Sequence, residues 1–174
     1  MPLVVADASP LIGLDRAGHL DVLPGVFGEL AAPPAVVAEF GRRPDWLSEV
    51  RVERSAQVAL LRELRFGAGE SEALAVALER PGTPLVLDEK RARAFAARHG
   101  IDVVGTGGVV LQAKTLGLIS AVGPVLDALT DTGFRSTETP PRDHAPCRGG
   151  HANRLTRPAG DARRQRGRGR GRSR

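Results

Sequence analysis

Cysteine, aromatics and long apolar runs are the scarce commodities of this 174-residue chain. A single cysteine, Cys147, rules out an internal disulfide and suits a reducing compartment such as the cytoplasm. Five Phe, one Trp and no Tyr leave the core to Ala, Val, Leu and Ile. No apolar stretch approaches the roughly 20 residues that a membrane helix needs, so no membrane association is expected. The opening Met-Pro-Leu-Val-Val-Ala-Asp has no basic start and meets an acid at Asp7, unlike a secretory leader. The four histidines (His19, His99, His144, His151) have no ligand spacing with one another or with Cys147, which argues against zinc. Ser9 has no His/Asp partnership of the triad kind.

Positive charge is plentiful but unevenly placed. Residues 138–174 hold eleven Arg against three acids, a net +8, while the remaining 137 residues carry 14 Lys/Arg against 17 Asp/Glu, a net −3. The body of the protein is therefore mildly acidic, as expected where several carboxylates gather. The segment from 136 is rich in Pro, Gly and Arg and ends in an Arg-Gly alternation over 166–172. It lacks any hydrophobic period, which predicts a disordered tail over 136–174 behind one domain over 1–135.

Within that domain the pattern alternates. Leu3-Val4-Val5-Ala6 reads as a buried strand closed by Asp7, Leu85-Val86-Leu87 as a second closed by Asp88, and Val103-Val104 as a third opening into Gly105-Thr106-Gly107-Gly108. Ser9-Pro10 reads as an N-cap and first helical residue. Further helices are expected over 20–27 with a break at Pro24-Gly25, from Pro33-Pro34 through Phe40, over 70–79, over 90–99 with Gly100 as its stop, over 109–116 and from Pro124 to about 132. Residues 41–54 read as irregular and polar. Strands that alternate with helices predict an α/β fold with a central parallel sheet covered on both faces. Ligands of such sheets sit beyond the C-terminal strand ends, where Asp7, Asp88 and the glycine turn all fall.

Four acids therefore stand out: Asp7 and Asp88 at strand ends, Glu39 on a helix, and Glu70 at a helix start. Converging carboxylates repel unless a hard cation such as Mg²⁺ or Mn²⁺ joins them. Such ions suit phosphodiester hydrolysis, since they activate water and neutralise the phosphoryl oxygens. Ser9 is placed to orient the Asp7 carboxylate or a water, and Thr106 to face the same edge. Arg91 and Arg93 are candidates to touch substrate phosphates or to pair with a nearby acid. The glycine turn lacks the lysine of a P-loop and reads as a tight strand-to-helix turn.

Five segments in order are similar to the PIN domain, and to its VapC-related toxin-type ribonucleases: Val5-Ala6-Asp7-Ala8-Ser9-Pro10-Leu11-Ile12, Pro34-Ala35-Val36-Val37-Ala38-Glu39, Gly69-Glu70-Ser71-Glu72-Ala73, Leu85 to Arg93, and Val104-Gly105-Thr106-Gly107-Gly108. The resemblance implies a PIN-like α/β/α sandwich with four to five parallel strands. It implies an Mg²⁺- or Mn²⁺-dependent endoribonuclease acting on single-stranded or looped RNA, with a cognate antitoxin and a homodimer as partners. The ligand set it implies is Asp7, Glu39, Glu70 and Asp88. Glu72 is the alternative to Glu70, and Glu89 the alternative to Asp88 by a one-residue shift. A catalytically inactive PIN-like binding or regulatory module is the competing reading.

Overall fold

A computed structural model of the chain describes residues 3–134; the expected tail lies outside them. Five short strands, β1 (Val5–Ala6), β2 (Leu30–Ala32), β3 (Leu47–Glu49), β4 (Leu85–Val86) and β5 (Val103–Val104), form one parallel sheet in the order β3-β2-β1-β4-β5. Eight helices connect them among the described residues: α1 (Ala8–Arg16), α2 (Val22–Phe27), α3 (Pro34–Phe40), α4 (Ser55–Glu63), α5 (Ala68–Glu79), α6 (Lys90–Arg98), α7 (Thr106–Thr115) and α8 (Val122–Asp131). No helix among these residues is long and apolar enough to cross a membrane.

The strand periodicity of two sorts the core into two layers. Val4, Ala6, Leu30, Ala32 and Val86 point to the side covered by α1, α2, α7 and α8. Val5, Ala31, Leu85 and Leu87 point to the opposite side, against Leu61 of α4, Leu74 and Val76 of α5, and Ala92 and Ala96 of α6. The sheet is thus buried on both faces, and its strands consist of short apolar runs rather than alternating ones.

The topology positions the functional edge. From β1 the chain first winds outward through β2 and β3, then returns to the other side of β1 for β4 and β5. The order reverses between β1 and β4, where connections leave in opposite directions and open a crevice at the C-terminal ends. Asp7 follows β1 and Asp88 lies just past β4, so both stand at that switch point. Backbone hydrogen bonds hold the two ends in register: Asp7 N–H donates to Val86 O at 2.9 Å, and Leu87 N–H to Val104 O at 3.0 Å.

Several local expectations change. The residue capping α1 is Asp7, not Ser9; Ser9 and Pro10 occupy the first turn, where proline costs no intrahelical bond. Pro24-Gly25 does not break α2, because Pro24 falls in that helix's first turn. The stretch 41–54 is not wholly irregular: Leu47–Glu49 is the edge strand β3, with Leu47 buried. Helix α7 begins at Thr106, three residues earlier than expected, with Gly105 as N-cap, and the strand-to-helix turn is correspondingly tight. Strand β2 and helix α4 had no clear sequence signal.

Glu72 has a defined structural partner. Its carboxylate accepts a 2.8 Å hydrogen bond from Ala35 N–H, across 37 residues of sequence. Helix α3 starts after Pro33, which has no capping side chain, so an acid from α5 satisfies one of its exposed amides. Glu72→Ala should lower stability in urea unfolding by about 1–2 kcal/mol. An unchanged midpoint would show that the contact contributes nothing.

Candidate metal and nuclease site

Asp7 is built into the molecule at the tip of the central strand. Its residue is only 3% exposed, and its carboxyl is pushed up from the usual 3.8 to about 7. Burial is the main cause. The N–H groups of Ala8 and Ser9 act in the opposite sense, without forming a side-chain cap bond, and the negative charges of Glu70 and Glu39 push the value up further. Asp7 thus feels two other acids of the expected set.

Gly69, in the first turn of α5, explains how they approach. A Cβ built there would lie 3.2 Å from Asp7 Oδ1, 3.3 Å from Glu39 Oε2 and 3.0 Å from Val36 Cγ2. The carboxylates of Asp7 and Glu39 therefore both approach Gly69, where a side chain would crowd them. Helix α3 supplies Glu39 from the exposed side, and α3 is packed on α5 and α1. Glu70 follows at the third position of α5 and accepts a 2.9 Å hydrogen bond from Gly67 N–H, the reciprocal half of a capping box.

Asp88 is held differently. It is 4% exposed and receives two donors from the start of α7: Thr106 N–H at 2.9 Å and the Thr106 hydroxyl at 2.6 Å. The Arg93 guanidinium and Asp88 Oδ1 both crowd Gly105, where a Cβ would meet each of them. Arg93 is therefore a neighbour of the acid, as one arginine of that helix was expected to be. Arg91 instead donates to Leu64 O at 2.8 Å and lies over the Phe66 ring. Glu89 caps α6 by accepting from Ala92 N–H at 2.6 Å.

An open cleft of about 420 Å³ runs past this edge, lined by Ser9, Glu70, Asp88 and Glu89 together with residues of α1, α6 and the end of α8. The structure therefore brings Asp7, Glu39 and Glu70 into electrostatic contact, and places Glu70, Asp88 and Ser9 on one cleft. Glu72 is turned to the start of α3. Gly69 stood in the sequence only as the first residue of the Gly69–Ala73 segment; its close approach to Asp7 and Glu39 is seen only in the fold.

The donor set suits a hard cation, with one qualification of geometry. Among the described residues, no three Asp, Glu, His or Cys side chains stand close enough to hold a metal as they are now turned. Glu70 faces Gly67 and Asp88 faces Thr106, so each spends lone pairs on protein donors. An ionised carboxylate has about four acceptor sites, so neither bond exhausts it. Asp7 and Glu39, whose carboxylates both approach Gly69, are the pair towards which Glu70 and Asp88 would have to turn to complete a cation site.

The raised carboxyl has a consequence for stability. Below about pH 4 Asp7 is protonated in folded and unfolded chains alike. Between 3.8 and about 7 the unfolded chain has lost the proton while the folded one keeps it, so metal-free stability falls as pH rises, then levels off. Over that window the loss is roughly 4 kcal/mol at the outside. Asp7→Asn should flatten this slope and gain stability relative to wild type between pH 4 and 8, read from thermal unfolding in chelator. Parallel pH profiles for the two proteins would contradict the assignment.

No curated protein matches the chain. A family model does: that of DUF3368, described as a PIN domain, over residues 3–140. That match spans the sheet, the switch-point acids and the cleft, and PIN domains are generally nucleases. On this match and this five-stranded parallel sheet, the chain belongs to the PIN-domain family DUF3368.

Proposed function

We propose that the protein is a divalent-metal-dependent endoribonuclease that cleaves single-stranded or looped RNA. The observation that carries this reading is the buried Asp7 carboxyl at the sheet's switch point, within reach of the charges of Glu39 and Glu70. A carboxylate so placed is costly unless a cation joins it. The membership in a nuclease-type family supplies the reaction class.

Asp7 and Glu39 would hold Mg²⁺ or Mn²⁺, with Glu70 and Asp88 completing the set. When bound, the ion neutralises the phosphoryl oxygens and makes water a better nucleophile at neutral pH. The chain's own residues do the positioning. Thr106 fixes the Asp88 carboxylate through two hydrogen bonds, so its orientation is set before substrate arrives. Ser9, two residues past Asp7 on the cleft wall, orients the attacking water. Water adds to phosphorus, and the P–O bond to the neighbouring nucleotide breaks, with its proton returned to the leaving oxygen.

One observation favours a second reading, a non-catalytic PIN module. Glu70 and Asp88 both accept hydrogen bonds from protein donors, and among the described residues three ligands do not stand together. The toxin role, with a small antitoxin as partner and a homodimer as assembly, rests on the sequence resemblance. It adds to the ribonuclease reading without being required by it.

The test uses the full chain with a labelled single-stranded RNA in Mn²⁺ or Mg²⁺. Cleavage should vanish in chelator, and Asp7→Asn should reduce it by about 10²-fold or more. Equal cleavage by wild type and variant, or cleavage indifferent to chelation, would eliminate the ribonuclease reading. A wild type that binds RNA but never cuts it would leave the non-catalytic module.

A further inference from the structure

The cleft that passes the acids is longer than their chemistry needs, and the rest of its lining is of another kind. Ser9, Ile12, Gly13 and Arg16 line it from α1. Their spacing of three, one and three places them on a single helical face. Arg16 lies seven residues beyond Ser9, about 10 Å along the helix. Lys90 lines the cleft at the acid end, as the first residue of α6. Both cations are exposed, and neither forms an ion pair among the described residues. Arg16 has an ordinary reason to sit where it does, because the C-terminal turn of a helix favours a cation. Lys90 has none: it stands at a helix N-terminus, where the dipole opposes positive charge.

The same lining carries apolar and aromatic groups. Phe134 lies directly on Gly13, where a Cβ would come within 2.6 Å of the ring carbon Cε2. The absent side chain lets the ring settle onto α1 while it still lines the cleft beside Ile12. The lining thus joins an aromatic ring and an apolar side chain to two cations, beside the carboxylates of Glu70, Asp88 and Glu89. This combination matches single-stranded nucleic acid, in which phosphates seek cations and unpaired bases seek flat apolar surfaces. A space of about 420 Å³ has the size of a small-molecule pocket, enough for an unpaired nucleotide but not for a duplex.

We propose that this cleft is the substrate track: Lys90 takes a backbone phosphate next to the acids, Arg16 takes one farther along α1, and Phe134 carries an unpaired base between them. The proposal rests on the ribonuclease reading for the identity of the strand as RNA. It also accounts for how a body of net charge −3 admits a polyanion beside its carboxylates. Arg16 and Lys90 line this cleft, and Asp7 and Glu39 do not.

The test is fluorescence anisotropy of a labelled single-stranded RNA with the full chain in chelator, across 50–200 mM salt. Arg98→Glu, at the far end of the same helix as Lys90, is the control for net charge. Arg16→Glu and Lys90→Glu should each weaken binding about tenfold relative to Arg98→Glu, and lower the salt slope by about 1. Phe134→Leu, which keeps an apolar contact on Gly13, should weaken it about fivefold with the salt slope unchanged. The arginines of 138–174 are common to every variant. Should a charge reversal impair folding, Arg16→Gln and Lys90→Gln serve in its place, with about a threefold loss expected. Cleft variants that bind like Arg98→Glu would overturn the track. If wild type cuts RNA and these variants bind and cut like the control, the track falls while the ribonuclease reading stands. If nothing is cut but the cleft variants lose binding, the track stands without the nuclease.

Discussion

A carboxyl group enclosed at the end of the central strand is the constraint on which the rest of the site depends. Asp7 occupies the middle of the sheet's C-terminal edge, with β2 on one side and β4 on the other. Its backbone N–H is committed to Val86, which fixes the position of its side chain relative to the second acidic strand end. Enclosure raises the cost of its negative charge, and the acids beside it raise that cost further. Everything close to it can be understood as accommodating that charge. Residue 69 has no side chain, so α5 can approach, and Asp88 is held off at Thr106.

The two sets of acidic side chains have different physical settings. Asp7 and Glu39 both approach the bare face of Gly69, and burial with the Glu70 and Glu39 charges raises the Asp7 carboxyl despite the nearby N–H groups of Ala8 and Ser9. Glu70, Glu72, Asp88 and Glu89 each hold at least one backbone N–H at the start of a helix or in the turn before it. Helix N-termini leave N–H groups unpaired and favour negative charge, so these acids do structural work wherever else they serve. A functional carboxylate at this edge is thus drawn from residues that already organise the helix starts. That arrangement keeps the site rigid, and it also makes Glu70's engagement with Gly67 the feature that a bound cation must compete with.

Much of the fold could be read from local pattern. Strands β1, β4 and β5 are apolar runs that end at an acid or a glycine, and the crossover helices carry clear stops such as Gly100. Strand β2 was hidden because Leu30-Ala31-Ala32 is short and alanine-rich, a composition with little strand preference. Strand β3 has a single buried residue, Leu47, and shows itself only by pairing with β2. The positions of the acids were legible for the same reason as the strands they follow. What Glu72, Asp88 and Asp7 face was not, because those partners are distant in sequence: Ala35, Thr106, and Glu39 beside Gly69. Phe134 on Gly13 is another such contact, and it shapes the cleft from the far end of the domain.

The central claim is that the enclosed Asp7 carboxyl is held ready for a cation. Direct NMR titration of its side-chain carboxyl carbon, without divalent ions and then with Mg²⁺, tests this most closely. A metal-free midpoint near 7 is expected. Saturating Mg²⁺ should lower it by about 1–3 units, as a cation within reach of a carboxylate does. A metal-free midpoint near the ordinary value of 3.8, or a raised midpoint that Mg²⁺ leaves unmoved, would contradict the account.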